Sequence, residues 1–350
     1  FFAPYLERAH KRNLRRRLIM KTLQEDPDAE QGHLRLQDLL PRVLKQAEAA
    51  GVFSVQESQD ERERTAAIWL MQEFSPLDRR ISLEGLGLLR FRPVPLDRWD
   101  TPAFLTSNPW SLNQDQAGDL ITLLMNTLRI QGAITYLLGD KVNLIKDEAF
   151  APRRKAFYFR QEGSDPKQGI FGWMPAEGYS NARIDFLIRV LKKYDIPDDN
   201  KNLARQLLLN LWEYLSSPNS PWRDHLPREN LKKQGVLYRI AHNMWEITPI
   251  LEDDSDLSGW YLCNTCQTIT PISLESVCPT YGCQGDLEPL HNHLEVLESN
   301  LYRDTYSRGK PIPLSAEEHT AQWTSKAAAD VQNRFIRGEI NVLSCSTTFE

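Results

Sequence analysis

Four of the chain's five cysteines, Cys263, Cys266, Cys278 and Cys283, fall within 21 residues, and the 262 residues before them contain none. A disulfide-stapled secreted domain spreads its cysteines along the chain, so this distribution fits a reducing cytoplasm better. The pairs lie in Trp260-Tyr-Leu-Cys-Asn-Thr-Cys266 and Cys278-Pro-Thr-Tyr-Gly-Cys283, eleven residues apart. Each short knuckle can present two thiolates at about 2.3 Å from a tetrahedral zinc ion. Because all four positions are sulfur, no coordination site is left for water, and the zinc is expected to be structural; four buried free thiols are the alternative. Gly282 permits the left-handed backbone such a knuckle often adopts, and Thr268-Ile-Thr-Pro271 reads as the strand between the pairs. His291 and His293 are surplus to a complete donor set and read as polar linker residues. Trp260 and Tyr261 could stack on a nucleic-acid base, but packing over the knuckle is the more usual role.

The rest of the composition is that of a globular chain: 350 residues, 41% hydrophobic and 25% charged, room for one large or two to three small domains. Mean hydropathy is −0.49 and there is no run of 18 apolar residues, so no membrane span is expected. With 42 basic and 47 acidic residues the net charge is −5, which by itself points to no nucleic-acid partner. The first 24 residues are different: Arg8, Lys11, Arg12, Arg15, Arg16, Arg17 and Lys21 face one acid, Glu7. Such a helix either touches phosphates or presents a solvated face, the commoner fate of a charge run. The chain opens at Phe1 and stops just after an apparent strand, so a fragment of a longer protein is expected.

Periodicity makes the first 215 residues mainly helical. Ala67, Leu70, Met71 and Phe74 form one apolar stripe; Ile184, Leu187, Ile188 and Leu191 form another; Leu208, Leu211, Trp212 and Leu215 a third. A further apolar helix is expected over 119–129. Ser216-Ser-Pro-Asn-Ser-Pro221 reads as a linker. Beyond it, Val236-Leu-Tyr-Arg-Ile240 and Met244-Trp-Glu-Ile247 read as a hairpin around Ala241-His-Asn243. The expected fold class is therefore α+β and multidomain: a helical domain over 1–215, a β hairpin with a small zinc-ribbon-like module over 222–290, and a partial α/β domain over 291–350.

No Gly-x-x-x-x-Gly-Lys-Ser/Thr phosphate loop occurs, and Gly309-Lys310 lacks the upstream glycine. Asp147-Glu-Ala-Phe150 imitates the Asp-Glu-Ala-His box of helicases but lacks the apolar strand that should aim its acids. The last segment is more informative: a helix ending Asn333-Arg-Phe-Ile-Arg-Gly338, then Glu-Ile-Asn-Val-Leu-Ser-Cys-Ser-Thr-Thr-Phe-Glu350. This reads as helix, glycine stop, buried parallel strand with Cys345 as a small core hydrophobe, and a polar turn at the strand's carboxyl end, where open α/β sheets bind ligands.

That segment resembles the second RecA-like domain of superfamily 2 helicases, in which Phe335, Gly338, Glu339, Ile340, Val342 and Leu343 match the helix end and strand that lead into motif V and Ser346-Thr-Thr-Phe-Glu350 matches the opening of that motif. Glu318-His-Thr-Ala-Gln322 is similar to a subset of large bacterial helicases with zinc-binding insertions, including those of DISARM-type antiphage defence systems. The resemblance covers about the last 40 residues and implies an ATP-driven DNA translocase. It assigns nucleic-acid contacts to Ser346, Thr347 and Thr348, and less directly to His319, Thr320 and Gln322. It also implies that ATP and magnesium belong to the full-length parent only, because the first motor domain, the motif V glycine and aspartate and the arginine finger are absent here. Partners would be DNA, the remaining helicase domains in cis and defence-system proteins. A non-enzymatic zinc-ribbon adaptor that binds nucleic acid or protein is the rival reading.

Overall fold

The computed structural model describes residues 3–29, 34–97, 99–139, 157–194, 196, 200–250, 257–319 and 324–345. In chain order the elements are α1 (Ala3–Gln24), β1 (Leu34–Arg35), α2 (Leu36–Ala49), α3 (Gln59–Phe74), β2 (Leu89–Pro93), α4 (Ala103–Thr106) and α5 (Gln114–Gln131). There follow β3 (Tyr158–Glu162), β4 (Ile170–Met174), α6 (Ala182–Lys193), α7 (Asn200–Ser216), β5 (Arg228–Leu231), β6 (Gly235–Tyr238) and β7 (Trp245–Pro249). The chain continues through β8 (Tyr261–Cys263), β9 (Ile269–Thr270), β10 (Leu287–Pro289), α8 (Leu294–Glu298), α9 (Leu301–Ser307), β11 (Ala316–His319), α10 (Ser325–Ile336) and β12 (Val342–Cys345). It is a mixed α and β protein with several small sheets.

The helices start and stop where their caps dictate. Ser58 accepts the Glu61 N–H while the Glu61 carboxylate takes the Ser58 N–H at 2.9 Å, a reciprocal box that begins α3. Asn113 and Gln116 do the same for α5, which ends on Gly132 at φ +92°. The apolar stripes of α3 and α7 are buried throughout; in α6, Ile184, Leu187 and Leu191 are buried and Ile188 half-buried.

The strands following α7 depart from the sequence reading. Both expected strands exist, but they do not pair with each other. β6 joins the sheet β4-β3-β6-β5, and β7 is the centre of β1-β7-β2. A single 3-10 turn at His242–Met244 separates them, and Ile240 bridges to Ile134 instead, so the chain is redirected before a hairpin can close. Between residues 215 and 222 the core is continuous: Trp222, Leu226, Ile240, Trp245 and Ile247 pack in one apolar cluster with α2 to α7. Ile272, Leu274 and Val277 from the cysteine-rich segment and Tyr306 from α9 belong to that cluster as well.

The basic helix α1 exposes Lys11 and Arg12, but at its centre Arg15 and Arg16 turn inward rather than to solvent. Arg16, 4% exposed, donates to Glu73 on α3 at 2.7 Å and to the Tyr306 hydroxyl at 3.2 Å, and its guanidinium stacks over the Tyr306 ring. Arg15 donates to Gln72 and lies 3.5 Å from Glu73; burial lowers its pKa to about 10. Glu73 also accepts the Leu83 N–H at 3.0 Å. A buried cation needs such partners, and they turn these arginines into a bolt joining α1, α3 and α9.

At the carboxy-terminal end β11 and β12 pair in parallel, Ala316 with Val342 through His319 with Cys345, and α10 connects them. Gly338, at φ +75°, closes α10: its N–H bonds Phe335 O at 3.0 Å and the Glu339 N–H bonds Arg334 O at 2.9 Å, a Schellman cap. The strand was expected to be buried; Val342, Leu343 and Ser344 are half-buried, while Ile340 just before it is covered. Phe335 and Ile336 remain exposed on α10. No helix among the described residues is long and apolar enough to cross a membrane.

Candidate metal centre

The four cysteines converge as their spacing requires. β8 runs antiparallel to β9 and β10 in the order β10-β8-β9, which holds the first knuckle, Cys263 to Cys266, at the tip of the β8–β9 turn. The second knuckle precedes β10, whose Leu287 pairs with Cys263 and so brings Cys278 and Cys283 alongside. All four sulfur atoms lie within 4.8 Å of one another and can hold a metal ion. Cys263 and Cys283 Sγ are 3.7 Å apart, and Cys266 and Cys278 Sγ 3.5 Å. A tetrahedron with metal–sulfur bonds of about 2.3 Å has edges of about 3.8 Å, so these separations fit zinc.

Glycine is required at two points. Gly282 sits at φ +72°, as the knuckle geometry predicts. Gly285 was not singled out by its sequence context: a Cβ there would lie 2.7 Å from Cys263 Sγ and 2.6 Å from Thr265 Oγ1, so only glycine lets the chain pass the sulfur cluster. Its N–H donates to Cys283 Sγ at 3.4 Å. Thr268 Oγ1 lies 3.2 Å and Thr280 Oγ1 3.5 Å from Cys266 Sγ, and the two hydroxyls are 3.0 Å apart.

Burial raises the Cys278 and Cys283 thiols above the ordinary cysteine value. At Cys266 burial also works against the thiolate, but the hydroxyls of Thr268 and Thr280 outweigh it and bring the group down to about 6. Four thiolates in so small a volume repel one another, and a divalent cation relieves that repulsion.

The flanking residues fall where packing, not ligation, places them. Trp260 is buried with Leu257, Leu262, Ile269, Leu290 and Leu297, and Tyr261 packs against the cysteine cluster. His293 Nε2 lies 2.8 Å from Glu288 Oε2, and His291 is exposed. Neither histidine is among the residues that converge on the sulfurs.

An adjoining helix contributes more than the sequence reading foresaw. From α6, Arg189 donates through Nη1 to Cys278 O at 2.6 Å and Cys283 O at 2.7 Å, and through Nη2 to Thr280 O at 3.1 Å. Asp185 Oδ2 accepts from Arg189 Nε and Nη2 at 3.1 and 2.8 Å, and from the Gly282 N–H at 3.0 Å. The signal was present as an acid four residues before a base on a helix, a pattern ordinarily read as a surface pair.

Of the nucleic-acid candidates, His319 is placed at the carboxyl end of β11, in register with Cys345 at the carboxyl end of β12, and its Nε2 is 3.3 Å from Gln332 Nε2. Thr320, Gln322, Ser346, Thr347 and Thr348 lie outside the described residues, as does Asp147-Glu-Ala-Phe150. No protein-family model, no curated protein and no solved structure matches the chain.

Proposed function

We propose that this chain is the zinc-bearing and strand-contacting part of an ATP-driven DNA motor of the superfamily 2 helicase kind. Cys263, Cys266, Cys278 and Cys283 hold one structural zinc ion, which orders the module and takes no part in chemistry. The observation that carries the motor reading is the parallel β11–α10–β12 unit, because it sets the carboxyl ends of two strands side by side, with His319 next to Cys345. Parallel strands joined by a helix bind ligands beyond those ends. In this sequence Thr320 and Gln322 follow one strand, and Ser346, Thr347 and Thr348 follow the other. Their hydroxyls, amides and carboxamide suit a phosphate backbone. ATP and magnesium would be held by the remaining motor domains in cis, with phosphoryl transfer to water driven by positioning and charge stabilisation.

The test uses the parent polypeptide that carries both motor halves. Its ATP hydrolysis should be stimulated by DNA, and Thr347→Ala with Thr348→Ala should cut that stimulation by about tenfold or more. This chain alone should hydrolyse no ATP. A parent without a phosphate loop, or with hydrolysis indifferent to DNA, overturns the motor reading. The adaptor reading then takes its place, favoured by the way Ile272, Leu274 and Val277 lock the module into the helical core.

A further inference from the structure

Three carbonyls of one six-residue loop converge on a single guanidinium: those of Cys278, Thr280 and Cys283 on Arg189. Two of the three belong to residues whose sulfurs face the metal position. The fourth contact closes the set from the other direction, since the Gly282 N–H donates to Asp185, the same carboxylate that orients Arg189. Arg189 is 7% exposed and rests near the Phe186 ring, at 6.0 Å, so its fork is held by packing as well. At the end of α6, Lys193 pairs with Asp286 at 2.7 Å, and just past the helix the Tyr194 hydroxyl donates to Glu275 at 3.1 Å. Those outer pairs are exposed and add little by themselves. Among the described residues the first knuckle has no such helper: its backbone bonds, including Gln267 N–H to Cys263 O and Asn264 N–H to Asp286 O at 3.1 Å each, stay inside the module.

We propose that Arg189, aimed by Asp185, is a positioning residue for the metal centre: from α6 it holds the Cys278–Cys283 loop in its chelating shape, so that the helical core prebuilds half of the donor set. A planar fork with several donors in fixed directions can do this for diverging carbonyls, and a lysine cannot. The guanidinium also sets a positive charge beside a site whose four thiolates leave a zinc complex with two net negative charges. This inference rests on the zinc reading of the four cysteines.

The experiment is zinc competition on the full chain against a chromophoric chelator, at a temperature where circular dichroism shows each variant folded. Wild type should hold one zinc per chain. Arg189→Met should bind it about 10- to 100-fold more weakly, with Arg189→Lys in between and Asp185→Asn weakened several-fold. Cobalt(II) substitution should still report four sulfur ligands in the variants, with saturation at higher metal concentration. A lower melting temperature with unchanged zinc affinity in Arg189→Met overturns the proposal and leaves Arg189 as a packing residue. If Arg189→Met does not fold, Arg189→Lys and Asp185→Asn decide, and wild-type affinity in both overturns it. A wild-type chain that retains no zinc overturns the zinc reading itself, which is a separate result.

Discussion

A single methyl group marks how tightly the sulfur cluster is built. Gly285→Ala would place a Cβ 2.7 Å from Cys263 Sγ, and either the sulfur or the chain must move. Gly285→Ala is expected to weaken zinc binding by roughly tenfold or more while leaving the helical content intact, which metal competition and far-ultraviolet circular dichroism would check. Another residue sets a pH dependence. His225 is fully buried between Trp222 and Trp245, each ring centroid 5.4 Å away, and neither ring nitrogen has a hydrogen-bond partner among the described residues. Burial pushes its pKa down to about 3 from an ordinary 6.5, and burial likewise lowers His242 to about 4. The folded protein keeps both neutral while the unfolded chain protonates them. Their contribution to stability is therefore complete above pH 6.5 and lost as pH falls towards 3 or 4, at up to about 1.4 kcal/mol per pH unit for each ring. His225→Phe should keep or raise stability at pH 7 and remove about one proton from the acid slope measured by urea titration, since it gives up no hydrogen bond.

At the scale of elements, what the sequence disclosed depended on how local the cause was. Apolar periodicity located α3, α6 and α7 because each stripe, such as Ala67, Leu70, Met71 and Phe74, has to be buried whatever it meets. The knuckles were legible because metal geometry demands their spacing. The hairpin was not: strand propensity placed β6 and β7 correctly, but the partners of β7 are Leu34, Arg35 and the 89–93 strand, more than 150 residues away, and local sequence carries no trace of them. The same limit hid the role of α6. Its buried stripe was plain, whereas Asp185, Arg189 and Lys193, at i, i+4 and i+8, look like a solvated charge ladder until the second knuckle is set against them. Among the bases near the amino terminus Lys11 and Arg12 are exposed, as a solvated face would be, but Arg16 is not, since Glu73 and Tyr306 make it an interior residue.

Across the whole molecule, the cysteine module and the helices share one core. Ile272, Leu274 and Val277 pack with residues of α2 to α7, so metal loading and global folding are linked. Removing zinc with a chelator should therefore lower the melting temperature of the full chain in a single calorimetric transition; a separate early transition for the module, with the helical melt unmoved, would contradict this. The loss should be several kcal/mol, about 4 at a zinc concentration a thousand times the dissociation constant.

The bolt through Arg16, Glu73 and Tyr306 spans 290 residues between its first and last members. On a ribosome adding about 5–20 residues per second, α1 emerges roughly 15–60 seconds before the tyrosine that caps its buried arginine exists. During that interval Arg16 and Glu73 have each other and water, but not their lid. The helix that carries Arg16 is thus made well before its packing can be completed, and an open seam over α1 persists while the intervening 290 residues are added.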